Sequence, residues 1–281
     1  MINNRAVGVR AASRRHRRLD GQIALITGGG QGIGKAMSMA FANAGATVVI
    51  ADICPEHGDA VMNIIVGQGG QALACATDVT SPDSVSALFA QLQEQFDRVD
   101  ILVNNAGICP VTAFPEFSLE QWRRVFAVNV DGPLLTTQAA AAIMSRQEPH
   151  PIAARRGTII NVSSPAAEIG RPMFAAYGAS KAALNSLSRT SAGVLGPRGI
   201  ATTVLYPGSV LGPLWEELLP DLAVAEQRSA KEILAERSAG MPNGRFQKPT
   251  ETARMALYIA AARGMELNGR LLWSEAHVAD L

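Results

Sequence analysis

A doubly wound α/β domain is the fold this sequence predicts: one parallel sheet of about seven strands with helices on both faces. Two observations carry that expectation. From Gly21 onward, short β-branched-rich runs that are apolar on both faces alternate with longer helical patterns. A glycine-rich turn also follows the first of these runs directly. Strand and helix alternating through right-handed crossovers wind into a single sheet. The 281 residues are ample for a sizeable core, and they contain neither an internal repeat nor a linker long enough to split the chain.

The elements follow in order. Ile23–Ile26 is the first strand, Ala36–Ala44 the first helix and Thr47–Ile50 the second strand. Glu56–Val66 reads as a helix and Ala72–Cys75 as a strand. The helix Asp83–Phe96 starts behind Ser81-Pro82, where serine caps and proline tolerates the first turn, and the strand Ile101–Val103 comes next. Leu119–Met144 reads as one long helix before the strand Thr158–Val162. Ala175–Leu195 precedes the strand Thr202–Leu205, and Thr250–Ala262 precedes the last run, Arg270–Trp273. Residues 209–246 carry Trp215, Glu216, Glu217, Leu218, Leu219, Pro220 and Met241 among polar stretches, which suits a helical lid over a substrate site.

Composition narrows the function classes. Net charge is +1, which makes no case for nucleic acid, and no stretch approaches the roughly 18 apolar residues of a membrane span. The balance hides six arginines in residues 1–18, where no acid occurs; the remainder holds 19 basic against 24 acidic residues, a net −5. The expectation is a flexible basic arm over 1–19 and one catalytic domain over 20–281. Cys54, Cys75 and Cys109 form no C-x-x-C pair, so a reducing, cytoplasmic setting is expected. His16, His57, His150 and His277 are scattered, and no metal site is expected. Cys109 reads as a small inert residue bordering the pocket.

The first strand runs into Thr27-Gly28-Gly29-Gly30-Gln31-Gly32-Ile33-Gly34. Glycines there permit a tight turn and let backbone N–H groups approach a pyrophosphate at the positive end of the following helix. No Gly-Lys-Ser/Thr follows, which disfavours a nucleotide triphosphatase. The second strand ends at Asp52, placed to accept hydrogen bonds from two ribose hydroxyls, with Ile53 after it. The third strand leads to Asp78-Val79 and the fourth to Asn104-Asn105-Ala106-Gly107, at strand ends where ligands collect in open α/β sheets. The fifth ends in Ser163-Ser164, and the sixth leads to Pro207-Gly208-Ser209-Val210.

Tyr177 and Lys181 stand four apart and share one face of a helix. A tyrosine with a pKa of about 10 is a poor base near neutrality, and a neighbouring ammonium together with an oxidised nicotinamide is expected to pull that value down. Ser164 is positioned to hydrogen-bond the substrate oxygen as charge develops there.

TGGGQGIG, Asp78-Val79, NNAG, the asparagine of VNVDG, NVSS, YGASK and Pro207-Gly208 occur in this order over about residues 20–275. With them the chain resembles the short-chain dehydrogenase/reductase family. The resemblance implies a Rossmann-like domain and a catalytic set of Asn129, Ser164, Tyr177 and Lys181. Tyr177 would be the general acid/base, Lys181 would bind the nicotinamide ribose and lower the tyrosine pKa, and Asn129 would hold a water relaying protons to Lys181. The implied cofactor contacts are Gly28, Gln31, Gly32, Ile33, Gly34, Asp52, Ile53, Asp78, Val79, Asn105, Ala106, Gly107, Tyr177, Lys181, Pro207, Gly208 and Val210. The implied partners are a small alcohol or ketone and further copies of the chain, in a homotetramer or dimer packed through 119–144 and 175–195. Two departures stand out. The family's P-G-x-V-x-T reads Pro207-Gly208-Ser209-Val210-Leu211-Gly212 here, without the threonine, and the tail after the last strand is Trp273-Ser274-Glu275-Ala276-His277. Asp52 and the neutral Gln31 favour NAD. The alternatives are an NADPH-linked ketoreductase of a β-keto thioester and an idle dinucleotide-binding regulator.

Overall fold

The computed structural model describes residues 18–241 and 243–274. Seven strands form one parallel sheet: β1 (Ile23–Thr27), β2 (Thr47–Asp52), β3 (Gln71–Ala76), β4 (Ile101–Asn104), β5 (Gly157–Val162), β6 (Ile200–Tyr206) and β7 (Leu271–Trp273). Their spatial order is β3-β2-β1-β4-β5-β6-β7. The chain winds outward from β1 in one direction and from β4 in the other, so the strand order reverses between them. Ligand crevices open at such a reversal.

The double-faced apolarity of the strands has the expected cause. Ala24 and Ile26 of β1 belong to one core with Met37 and Phe41 of α1 (Gly32–Asn43) and Ala256 and Ile259 of α9 (Pro249–Ala261). Ile23 and Leu25 belong to the opposite core. There they meet Leu88 and Leu92 of α3 (Pro82–Phe96) and Ile143 and Met144 of α5 (Gly132–Met144). Neighbouring residues of a strand point to opposite faces, and here both faces are covered. The helix α2 (Pro55–Gly67) completes the first layer with Val61 and Ile65, and α6 (Ala175–Leu195) lies along β6.

Three expectations need correction. The single helix expected over Leu119–Met144 is α4 (Leu119–Phe126), a five-residue π turn (Ala127–Asp131) and α5. Gly132 sits where a Cβ would lie 2.9 Å from Val79 Cγ2, and Pro133 has no N–H to give the Asn129 carbonyl four residues back. Both disturb the ladder at one place. The domain boundary expected after residue 19 is the second. Leu19 is fully buried and its N–H donates to Ala44 O at 2.9 Å, so it belongs to the domain, while residues 1–17 lie outside the described part. The expected start of the first helix at Ala36 moves back to Gly32, because the glycine turn itself forms its first turn.

Residues 209–246 hold two helices, α7 (Pro213–Ala225) and α8 (Ala230–Ala239). Among the described residues no helix is long and apolar enough to cross a membrane.

Arg155 was not anticipated. Its buried guanidinium meets the carbonyls of Ile259 (3.3 Å), Ala260 (2.9 Å), Gly264 (3.0 Å) and Ala262 at the carboxyl end of α9. Burial lowers its pKa to about 10, and the negative helix end supplies the counterpart. Arg155→Met should lower stability by about 2–4 kcal/mol by stranding those acceptors. Thermal melting checks this, and an unchanged melting temperature would show that water replaces the guanidinium.

Candidate active site

The cleft forms where β1 and β4 diverge, with a volume of about 690 Å³. Behind its lining lies the buried Thr27 at the end of β1. The Thr27 hydroxyl accepts from the N–H groups of Asn105 (3.0 Å) and Ala106 (3.1 Å), locking the two strand ends together. The chain then turns at Gly28, whose φ of +60° favours glycine, and again at Gly32 with φ of +52°. Gly34 solves a different problem. A Cβ there would lie 1.9 Å from Gly28 O, so the helix can follow the turn this closely only without a side chain.

Asp52 is buried at the end of β2. Its two oxygens accept separate backbone N–H groups, from Gly30 (2.9 Å) and Cys54 (3.1 Å). The turn that faces the cleft therefore also aims the carboxylate. Ile53, beside it, is 72% exposed and lines the same end of the cleft.

The remaining sequence-selected residues divide by role. Gly28, Gln31, Gly32, Ile33, Gly34, Asp52, Ile53, Asp78, Val79, Asn105, Ala106, Gly107, Pro207, Gly208 and Val210 all line this one cleft. Asn105 nevertheless spends its amide on the turn, donating to Thr27 O and Gly28 O, both at 3.0 Å. Asp78 turns its Oδ1 to Thr80, accepting from the Thr80 N–H (2.9 Å) and hydroxyl (2.7 Å). The Gly208 N–H donates to Gln247 Oε1 (3.3 Å) and Ser274 Oγ (3.2 Å). Glu275–Leu281, including the unusual tail residues, lie outside the described part.

Ser164 caps the short turn Pro165–Ala167 by accepting from Ala166 N–H at 3.1 Å, and its hydroxyl acts to lower the Tyr177 pKa. Gly178 allows the approach of α6 to that turn, because a Cβ there would sit 2.8 Å from Ala166 O. Tyr177 lies in the first turn of α6. One turn later, Lys181 Nζ donates to Val162 O at 2.9 Å and stands 5.7 Å from the Tyr177 ring centre.

Asn129, on the π turn, is fully buried. Its Oδ1 accepts from Ile108 N–H (2.9 Å), and its Nδ2 donates to Ile108 O (3.0 Å) and Ser180 Oγ (3.0 Å). Ser180 in turn donates to Tyr177 O at 2.7 Å. The side chain is thus a clamp. Pro133 has no N–H to give the Asn129 carbonyl four residues back.

The chain's own groups do not lower the Tyr177 pKa; the expected lowering involves an oxidised nicotinamide as well as Lys181. Burial pushes the phenol above its usual value, and only Ser164 acts the other way. Burial also lowers Lys181 to about 8 and raises the Cys109 thiol to about 12. All three groups shift toward their neutral forms because the inner cleft is shielded from water.

Sequence reasoning missed Thr27, Gly30, Gly178 and Ser180, which act through their neighbours. It also missed a buried network in which Asn104 Nδ2 donates to Asn161 Oδ1 (2.8 Å) and Asn161 Nδ2 to Ser188 Oγ (2.8 Å). The asparagines stand on adjacent strands, a pairing visible only once β4 and β5 are known neighbours.

Residues 22–223 match the family model described as short chain dehydrogenase. The chain is 33% identical over 255 residues to the 3-oxoacyl-acyl-carrier-protein reductase FabG of Thermotoga maritima, covering 91% of this chain and 96% of that protein. It is 36% identical to the sorbitol dehydrogenase of Cereibacter sphaeroides, over 86% of this chain and 91% of that one. A putative NAD(P)-dependent gluconate 5-dehydrogenase from Beutenbergia cavernae, solved with bound NADP at low occupancy, superposes with a TM-score of 0.78 at 29% identity, covering 91% and 96% of the two chains.

Proposed function

The chain belongs to the short-chain dehydrogenase/reductase family, and from that premise we propose that it is an NAD(H)-dependent oxidoreductase interconverting a secondary alcohol and a ketone. The observation that carries the reading is the single cleft joining Asp52, the glycine turn and the Ser164–Tyr177–Lys181 group. A dinucleotide suits it, because the cleft of about 690 Å³ runs from Asp52 and Ile53 past Gly28, Gln31, Gly32, Ile33 and Gly34 to Tyr177 and Lys181. Gly28, Gly32 and Gly34 would hold the pyrophosphate, Asp52 the adenosine ribose, and Gly107, Pro207, Gly208 and Val210 the nicotinamide half.

The cofactor would supply or accept a hydride. The chain would manage the proton. In ketone reduction, Tyr177 donates its proton to the developing alkoxide while Ser164 hydrogen-bonds the same oxygen. Lys181 binds the nicotinamide ribose. The Asn129 carbonyl holds the water through which Tyr177 and Lys181 exchange protons with solvent. We further propose self-association through α4, α5 and α6, and a cytoplasmic setting.

Cofactor choice tests the reading. A carboxylate facing a 2′-phosphate at 4 Å is opposed by about 4 kcal/mol at an effective dielectric of 20. Even about 2–3 kcal/mol after relaxation is a preference of roughly 30- to 150-fold. Gly30 and Cys54 hold Asp52 in place, which limits its escape from such a phosphate. The expected result is NAD(H) over NADP(H) by at least about tenfold in kcat/KM. Asp52→Ser should erode that preference mainly through KM. Equal or better efficiency with NADP(H) would instead promote the β-keto thioester reductase. NADH binding without turnover over a broad alcohol and ketone panel would mark a regulator.

A further inference from the structure

Taking Tyr177 as the proton donor, as in the reading above, we propose that the substrate carries an apolar body on both sides of its reacting carbon: an alkyl or aryl secondary alcohol or ketone, not a polyol or ketose. Beside Tyr177 the cleft is walled by Cys109 and Leu218, which belong to a separate apolar cluster with Leu222 and Ile233 behind them. The Tyr177 ring packs against this cluster, together with Phe174 and Trp215. Cys109 and Leu218 are buried and line the cleft, so the wall beside the phenol is apolar at its deepest part.

Few polar atoms reach this depth. The Ser164 hydroxyl already accepts from Ala166 N–H and is the group assigned to the reacting oxygen. The Cys109 thiol, raised to about 12, remains a neutral and weak donor. The charged side chains Arg124, Arg171 and Glu217 line the same cleft but are exposed, which puts them toward its mouth. Arg237 also lines it and pairs with Glu226 at 2.9 Å.

A polyol bears a hydroxyl on each carbon flanking the one that reacts. Against Leu218, Phe174 and Trp215 those hydroxyls would lose water without gaining partners, whereas an alkyl or aryl group would gain contact. Glu217 is the one acid among these four charged side chains, so its variant tests whether a polyol draws on a carboxylate here.

The experiment measures kcat/KM for 1-phenylethanol and cyclohexanol against sorbitol, galactitol and threitol, with NAD and NADP supplied in parallel. The expected result is at least about tenfold higher kcat/KM for the apolar alcohols, a modest fraction of what an unmatched hydroxyl group can cost in discrimination. Glu217→Gln should leave their turnover unchanged. Faster turnover of the polyols, removed by Glu217→Gln, would overturn the proposal. A second measurement stands apart from turnover: quenching of Trp215 fluorescence by acetophenone and by fructose in the NADH complex, with Trp215→Phe as the blank. Tighter binding of acetophenone supports the apolar chamber, and tighter or equal binding of fructose refutes it. Should no alcohol or ketone react with either cofactor, the oxidoreductase reading fails, and the binding result still decides the character of the chamber.

Discussion

Tyr177→Phe is expected to lower turnover by about 10²–10⁴ while leaving NADH binding nearly intact, the usual worth of a positioned acid/base. The substitution removes only the hydroxyl. The ring keeps its packing against the cluster of Cys109 and Leu218, and α6 keeps its path. Ser164 retains the Ala166 N–H. The structure adds a direction to this expectation. Burial pushes the phenol above its usual pKa, so Tyr177 is protonated across the neutral range and suited to give a proton to a ketone. Oxidation needs the phenolate, so its rate should climb through alkaline pH while reduction stays level over the same range. Lys181, lowered to about 8, loses its charge within that window, and NADH affinity should weaken modestly as pH passes that value. Stopped-flow or steady-state rates in both directions, paired with NADH fluorescence titration, separate these effects. Near-normal turnover of the Phe variant would remove Tyr177 from the mechanism, and oxidation insensitive to pH would show that another group takes the proton.

Much of this architecture was legible because its causes are local. Each strand is apolar on both faces since helices cover both sides of the sheet, and the glycine turn is recognisable because pyrophosphate and helix must come close. Tyr177 and Lys181 share a helix face by spacing alone. What escaped depends on contacts across the chain. The π turn at Asn129 keeps a helical pattern of apolar residues, so Leu119–Met144 reads as unbroken, although Gly132-Pro133 hints at the interruption. Asn105 resembles a ligand contact because it stands at the end of β4, but its amide is taken by two carbonyls of the turn opposite. The upward push on the tyrosine is hidden from the sequence for a related reason. Spacing reveals the neighbouring ammonium, whereas desolvation depends on α7 and the Cys109 turn closing over the ring, and in this structure desolvation dominates.

The second large effect is expected at Gly34, where Ala should weaken NADH binding by more than about a hundredfold, as the loss of a whole anion-binding turn would. Intrinsic propensity points the other way, since Ala in a helix is favoured over Gly by roughly 0.8–1.0 kcal/mol. Steric contact decides the sign. The added Cβ would stand 1.9 Å from Gly28 O, 2.8 Å from Gly28 C and 2.6 Å from Asn105 Nδ2. These lie far inside the roughly 3.5–4.0 Å of a relaxed carbon contact. The Gly28 carbonyl is backbone and cannot swing away as a side chain would. It is also held on both sides, by the Gly28 N–H bonded to Ala51 O at 2.7 Å and by the Asn105 amide. Relief must therefore come from moving α1 away from the end of β1, which opens the turn that would receive the pyrophosphate. The core beneath it, with Met37 and Phe41, tolerates a small shift, so the domain should still fold and melt cooperatively at a lower temperature. Gly67→Ala is the matched control, because nothing lies within 4 Å of its added Cβ at the end of α2. If Gly34→Ala binds NADH within about threefold of the unmodified protein, the turn is softer than its geometry implies and the anion cradle must be sought elsewhere in the cleft.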